Sequence, residues 1–185
     1  MVLTSNGEEL LKADRVLLPG VGAFSNAMSE LYKLDLVESI IEVAKRGTPL
    51  LGVCLGMQLL CDKSEEFGIT KGLGLISGSV IRMPIENIDG EPLKIPQIGW
   101  NELKNKNRLS WNGTILQDFS AQDAVYFVHS FMAVPQNKRH QLAHCLYGGN
   151  EIVAVIQRDN IVGCQFHPEK SGDVGLRLLQ KFLEQ

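Results

Sequence analysis

Leu50-Leu51-Gly52-Val53-Cys54-Leu55-Gly56-Met57-Gln58-Leu59-Leu60 is the stretch that sets the architecture. An apolar run, Leu50, Leu51 and Val53, leads into Gly52-Val53-Cys54-Leu55-Gly56, and a second run at helical spacing starts with Met57, Leu59 and Leu60. That order predicts a strand, a sharp turn and a helix, with a cysteine at the corner. Glycine is required on both sides because the corner is strained, and a Cβ two positions from the cysteine would strike the neighbouring strand or helix. The corner also puts Cys54 at a helix N-terminus, whose partial positive charge favours thiolate over thiol. It leaves the backbone N–H of Leu55 able to donate to an oxyanion. A plainer reading of the same five residues is a buried structural cysteine in a tight connection.

Upstream, Val2-Leu3-Thr4 reads as the end of a strand, and Ser5 or Asn6 as the cap of a short helix through Glu8, Glu9, Leu10 and Leu11. Arg15-Val16-Leu17-Leu18 is a compact apolar run stopped by Pro19-Gly20, the pattern of a buried parallel strand. The loop Pro19-Gly20-Val21-Gly22-Ala23-Phe24 has two glycines able to take positive φ and turn N–H groups outward, and an ordinary strand-to-helix turn fits it as well. Leu36, Val37, Ile40, Ile41 and Ala44 recur at helical spacing behind Asp35 as N-cap and stop before Gly47 and Pro49.

Downstream, the helix after Cys54 carries Gln58 one turn on and is expected to end around Lys63 to Gly68. Gly72, Gly74 and Gly78 are followed by no G-K-[ST], so they mark turns and not a phosphate loop. From Ser79 to Ala154 short β-like runs alternate with turns: Val80-Ile81-Arg82, Leu93-Lys94-Ile95, Thr114-Ile115-Leu116, Ala124 to His129, and Ile152 to Ile156. Trp100 and Trp111 lie between them as either interface anchors or packing residues. Lys104, Lys106 and Arg108 read as a solvated hairpin tip. His140 and His144 read as exposed hairpin residues, while His129 lies beside a strand end and can line a site.

Ile161 to Ser171 completes the pattern. An alternating strand delivers His167 at its end, Pro168 stiffens the exit, and the Glu169 carboxylate reaches the imidazole. A histidine with its own carboxylate is the base and orienter that an activated cysteine needs. Cys61, Cys145 and Cys164 have neither glycine corner nor base and read as small apolar fillers. A terminal helix follows, with Leu176, Leu179 and Phe182 on its inner face.

Composition narrows the class. The chain has 18 basic and 21 acidic residues, scattered, so no nucleic-acid stripe is present. Four cysteines without C-x-x-C spacing argue against a zinc site or a disulfide scaffold. The first residues lack an apolar signal region, and no apolar run nears the roughly 20 residues of a membrane span. The expectation is a cytoplasmic protein, one domain over residues 1–185, of α/β class: a three-layer, mostly parallel sheet flanked by helices, with an added antiparallel hairpin region.

Taken in order, PGVGAF, GVCLGMQLL, YFVHSF and QFHPEKS resemble the class I, or triad, glutamine amidotransferases over nearly the whole chain. PGVG, Pro96-Gln97-Ile98-Gly99-Trp100-Asn101 and Tyr126-Phe127-Val128-His129-Ser130 are most similar to the histidine-pathway branch. The resemblance implies that Cys54 attacks the side-chain amide carbon of glutamine, and that His167, oriented by Glu169, takes and returns the proton. It implies an oxyanion hole from the N–H groups of Val21 and Leu55. Gly22, Gln58, Glu66, Ser130 and Phe131 would hold the amino-acid end of glutamine, with Glu66 meeting its ammonium group. No cofactor and no metal is implied. The implied partner is a (βα)8-barrel cyclase subunit, in a heterodimer, that receives the ammonia, with Trp100 and Lys170 as docking candidates.

Two departures stand out. Relatives usually begin with a further strand and helix carrying D-Y-G-x-G-N, so the fold is expected to lack its first strand and helix, as in an N-terminally truncated chain, and to expose sheet edges. Gln97 stands where relatives often have His, which keeps open a sister group supplying ammonia to a surface-sugar amidotransferase. A non-catalytic regulatory homologue and an unrelated cysteine hydrolase with the same elbow are the remaining alternatives.

Overall fold

A computed structural model of the chain describes residues 2–105, 111–120 and 122–184. Its centre is a five-stranded sheet in the order β1 (Val16–Gly20), β2 (Leu50–Cys54), β11 (Ile161–Cys164), β10 (Asn150–Arg158), β9 (Gln141–Tyr147). β1, β2 and β11 run parallel, while β10 and β9 continue the sheet antiparallel. A four-stranded sheet orders β4 (Thr70–Lys71), β3 (Cys61–Ser64), β5 (Ile76–Arg82) and β8 (Phe131–Pro135). A separate antiparallel ribbon joins β6 (Gln97–Glu102) to β7 (Ala124–His129). The helices are α1 (Gly7–Leu10), α2 (Phe24–Lys33), α3 (Leu36–Lys45), α4 (Leu55–Leu59) and α5 (Gly172–Glu184).

The central sheet is covered on both faces because its middle strands alternate between two apolar clusters. Leu50 and Ile161 pack with Phe24, Met28, Val37 and Ile40 from α2 and α3. Leu51, Val53, Val162 and Cys164 point the other way, into a cluster with Phe127, Phe166, Leu178 and Phe182. Period-two alternation on strands with apolar layers on both sides is the signature of a parallel sheet interior. α4 lies directly on this sheet, and only glycine permits it to do so. A Cβ on Gly163 would come within 2.7 Å of Met57 Cγ, and one on Gly52 within 2.7 Å of the Gly56 carbonyl.

Several local expectations change. Residues 2–4 form no strand, although Asn6 does cap α1 by accepting from Glu8 N–H at 2.8 Å. β1 is the edge of its sheet and not a buried strand, with only Val16 of its residues fully buried. Asp35 precedes α3 in a left-handed conformation (φ 54°) and makes no side-chain cap, so α3 is held by its apolar face. α4 stops at Leu59, because Cys61–Ser64 leaves to pair with β5. Residues 93–95 and 114–116 are irregular: the Tyr147 hydroxyl donates to the Lys94 carbonyl, and the Thr114 hydroxyl turns back onto the Trp111 carbonyl. On α5 Phe182 is buried and Leu179 packs half-buried against the core as expected, but Leu176 is exposed, and Gly175 and Leu178 complete the inner face because Gly175 must pass the carbonyl of Pro168. No described helix is long and apolar enough to cross a membrane.

Candidate active site

The corner at Cys54 is strained, as the glycine spacing demanded. Cys54 has φ 53° and ψ −109°, one of four non-glycine residues with positive φ among the described residues. Such a conformation costs on the order of 1–3 kcal/mol and persists only where packing over-determines it. Here the packing is severe. A Cβ on Gly56 would lie 1.8 Å from the carbonyl oxygen of Leu18 on β1, so α4 is pressed against both β1 and β2.

Register carries the other groups to the same rim. β11 runs parallel to β2 with Cys164 opposite Val53, which sets Gln165 beside Cys54 and His167 two residues further on. Two residues span no more than about 7 Å of chain. His167 Nδ1 lies 2.8 Å from Glu169 Oε1. A carboxylate only accepts, so Nδ1 carries a proton, and in the neutral tautomer Nε2 presents its lone pair. That Nε2 is buried and has no hydrogen-bond partner. The backbone around it is pinned: His167 N–H donates to the Tyr126 carbonyl at 2.9 Å, Ser171 Oγ donates to the His167 carbonyl at 2.7 Å, and Tyr126 N–H donates to Ser171 Oγ at 2.9 Å. β7 therefore fixes where the imidazole hangs.

Electrostatics correct one expectation. The Cys54 thiol is not lowered by its helix end but pushed up to about 11, chiefly by burial and further by Glu169, against the Leu55 N–H, Gln165 and Lys170, which act the other way. A helix of five residues has too little dipole to offset desolvation. At neutral pH the resting nucleophile is therefore a thiol. His129, reached from β7, is buried and pushed down to about 4 by desolvation, so it is neutral, and its Nδ1 donates to the Phe131 carbonyl at 2.9 Å.

Burial also raises Cys61 to about 12, Cys145 to about 11 and Cys164 well above 9.0. A thiol that ionises less readily folded than unfolded contributes stability that is present below pH 9.0 and is lost as pH rises through its folded value. His129, depressed from 6.5, contributes stability present above 6.5 and lost as pH falls toward 4. Thermal melts are expected to show a Tm plateau between about pH 6.5 and 9, falling on both sides. A Tm still rising at pH 10 would contradict the buried thiols.

The other expected residues are distributed as follows. Leu55 and Gln58 are buried on α4, and Val21 is 79% exposed on the loop after β1, where Gly22 takes φ 100° and Gly20 stays in the strand. Gln58 Nε2 donates to the Phe131 carbonyl at 2.9 Å and to Gln165 Oε1 at 3.0 Å. Glu66 has a role the sequence did not show: its Oε2 accepts from Phe24 N–H at 2.7 Å and so caps α2 across 42 residues. Ser130 joins β7 to β8, and Phe131 is the first residue of β8. Trp100 is 55% exposed on β6 with its ring edge-on to Tyr126 at 6.0 Å, and Lys170 is exposed. Trp111 is a packing residue whose indole donates to the Leu142 carbonyl at 3.2 Å.

His144 is buried on β9, not exposed, because residues 104 and 144 bridge there, and its Nε2 lies 4.0 Å from Glu151. Lys106 and Arg108 fall outside the described residues. Gln165 and Ser171 were not anticipated. For Gln165 a signal existed: it is a glutamine inside the otherwise apolar run 161–166, and a buried amide requires partners.

Comparison with known proteins places the chain in a family. The family described as glutamine amidotransferase class-I matches residues 3–185. The chain is 51% identical over 183 residues to an imidazole glycerol phosphate synthase subunit HisH 1 of Legionella pneumophila (strain Lens), covering 98% of this chain and 86% of that protein. It is 44% identical over 182 residues to a subunit HisH of Geobacillus thermodenitrificans, covering 98% and 83%. Its fold matches a crystal structure of a glutamine amidotransferase with TM-score 0.70 at 17% identity, over 98% of this chain and 83% of that one. A chain carrying this elbow, this histidine and carboxylate, and this full-length likeness belongs to the class I glutamine amidotransferases.

Proposed function

We propose that the chain is the glutaminase subunit of an imidazole glycerol phosphate synthase, acting as a single domain over residues 1–185. The observation that carries the chemistry is the buried, unpartnered Nε2 of His167, whose Nδ1–H is held by Glu169, at the rim that presents Cys54. In this reading Cys54 Sγ attacks the side-chain amide carbon of glutamine as His167 Nε2 takes the thiol proton. The backbone N–H groups of Leu55 and Val21 meet the oxyanion, and His167 returns the proton to the departing ammonia. Water then hydrolyses the glutamyl thioester to glutamate. Each aimed oxyanion donor is worth about 10²–10³ in rate. Gly22, Gln58, Glu66, Ser130 and Phe131 hold the amino-acid end, with the Glu66 carboxylate facing the ammonium group.

The ammonia passes to a (βα)8-barrel cyclase subunit. Free ammonia in neutral water becomes mostly ammonium, which has no lone pair to attack with, so a docked acceptor is required. Support for the docking face comes from the β6–β7 ribbon, where Ile98 and Trp100 are both more than half exposed and side by side in the two-residue period. Gln97, one residue before Ile98 and on the opposite face of β6, is fully buried against Asn101 and Cys145, so its difference from relatives is not displayed on the exposed face. The test is glutamate release from glutamine by the chain with and without a histidine-pathway cyclase. Activity with the cyclase supports the reading, and inactivity of a folded, complexed sample refutes it. Trp100→Ala is expected to weaken cyclase binding by at least about tenfold; unchanged titration would move the interface elsewhere.

A further inference from the structure

We propose that Gln165 is a positioning residue for the nucleophile, presenting an amide N–H to Cys54 Sγ so that the thiol hydrogen is left to point toward His167. The inference rests on the glutaminase reading for its purpose but not for its geometry. The orientation of the amide follows from a chain of donors and acceptors. The Phe131 carbonyl can only accept, so the group that Gln58 places 2.9 Å from it is its NH₂. The same NH₂ lies 3.0 Å from Gln165, which must therefore offer its oxygen there. The nitrogen of Gln165 is thereby turned to the sulfur, 3.8 Å away.

His129 strengthens the anchor by donating to the same carbonyl at 2.9 Å. Gln58 and Gln165 are both buried, so a flipped amide would set donor against donor without water to relieve it. Two consequences follow for the sulfur. A lone pair on Sγ is occupied by N–H, so the S–H bond is turned away from Gln165; Nε2 of His167, which bonds to no group in the structure, is the acceptor the proposal assigns to it. When the proton leaves, the same N–H faces a growing negative charge, where a hydrogen bond strengthens.

The test uses the full chain, with iodoacetamide as probe of Cys54 and intact mass plus peptide mapping as readout, over pH 7–10. In Gln165→Glu the oxygen toward Gln58 is retained and the donor toward sulfur is lost, so the alkylation rate at pH 8 is expected to fall about tenfold or more and its pH profile to move up by about one unit. Gln165→Leu is expected to shift the profile in the same direction by less. Should Gln165→Leu fail to fold, Gln58→Met frees the amide to flip and is expected to shift the profile partway. Unchanged profiles in folded Gln165→Glu and Gln58→Met overturn the inference. Glutamate release with the cyclase is measured separately. A shifted profile without any wild-type glutaminase activity refutes the proposed function and leaves the positioning role standing, and the reverse pattern does the opposite.

Discussion

Cys54→Ala is expected to lower glutamine hydrolysis by about 10⁴- to 10⁶-fold, because the thioester route disappears with the thiol. His167 would still carry a lone pair, but water would have to be held in line by groups aimed at a sulfur-bound carbon. Binding of glutamine is expected to survive, since the residues assigned to its amino-acid end are untouched. The strained corner adds a second expectation. Alanine keeps the Cβ at φ 53°, whereas Cys54→Gly removes it, so the glycine variant is expected to be about 1 kcal/mol more stable than the alanine variant and equally inactive. Steady-state glutamate release and paired denaturant melts check both. Appreciable hydrolysis by the alanine variant would remove Cys54 from the mechanism.

The largest loss of stability is expected from Gly56→Ala. The added methyl would sit 1.8 Å from the Leu18 carbonyl oxygen and 2.9 Å from its carbon, and both are backbone atoms of a paired strand. No rotamer relieves that contact, so α4 or β1 must move and the elbow between them opens. A loss of about 4 kcal/mol or more is expected, enough to unfold a domain of ordinary stability. Gly22→Ala is the informative comparison: it meets nothing within 4 Å and suffers only its φ of 100°, a cost of about 1 kcal/mol. A Gly56→Ala melt within 1 kcal/mol of the parent would show that the packing at the corner yields.

What could be read in advance depended on whether its cause was local. The elbow was legible because two glycines flanking a cysteine have one common steric explanation, and the structure supplies both collisions they avoid. The Glu169 contact to His167 was legible because two residues of a rigid, proline-started turn fix it. α2 was not legible. Its sequence, FSNAMSELYK, has no capping side chain at its start, and its cap comes from Glu66. On α5 Leu176 departs from the expected inner face while Leu179 and Phe182 keep to it, because Gly175, and not an apolar side chain, marks the closest approach to the turn after His167. His144 has the sequence pattern of an exposed hairpin residue because an isolated bridge to residue 104 leaves no trace in composition. Gln165 is not legible as a site residue because its significance lies in which end of an amide faces sulfur, and three other residues decide that.

The cap on α2 bears on anyone who would transplant this chemistry. A loop whose far end is tied down by a carboxylate from a distant hairpin is not a portable cassette, and copying residues 19–24 with residues 52–56 onto a new scaffold would omit the tether. The smallest transferable unit includes the hairpin that carries Glu66, and a graft lacking it should bind its electrophile loosely even with every reacting atom in place.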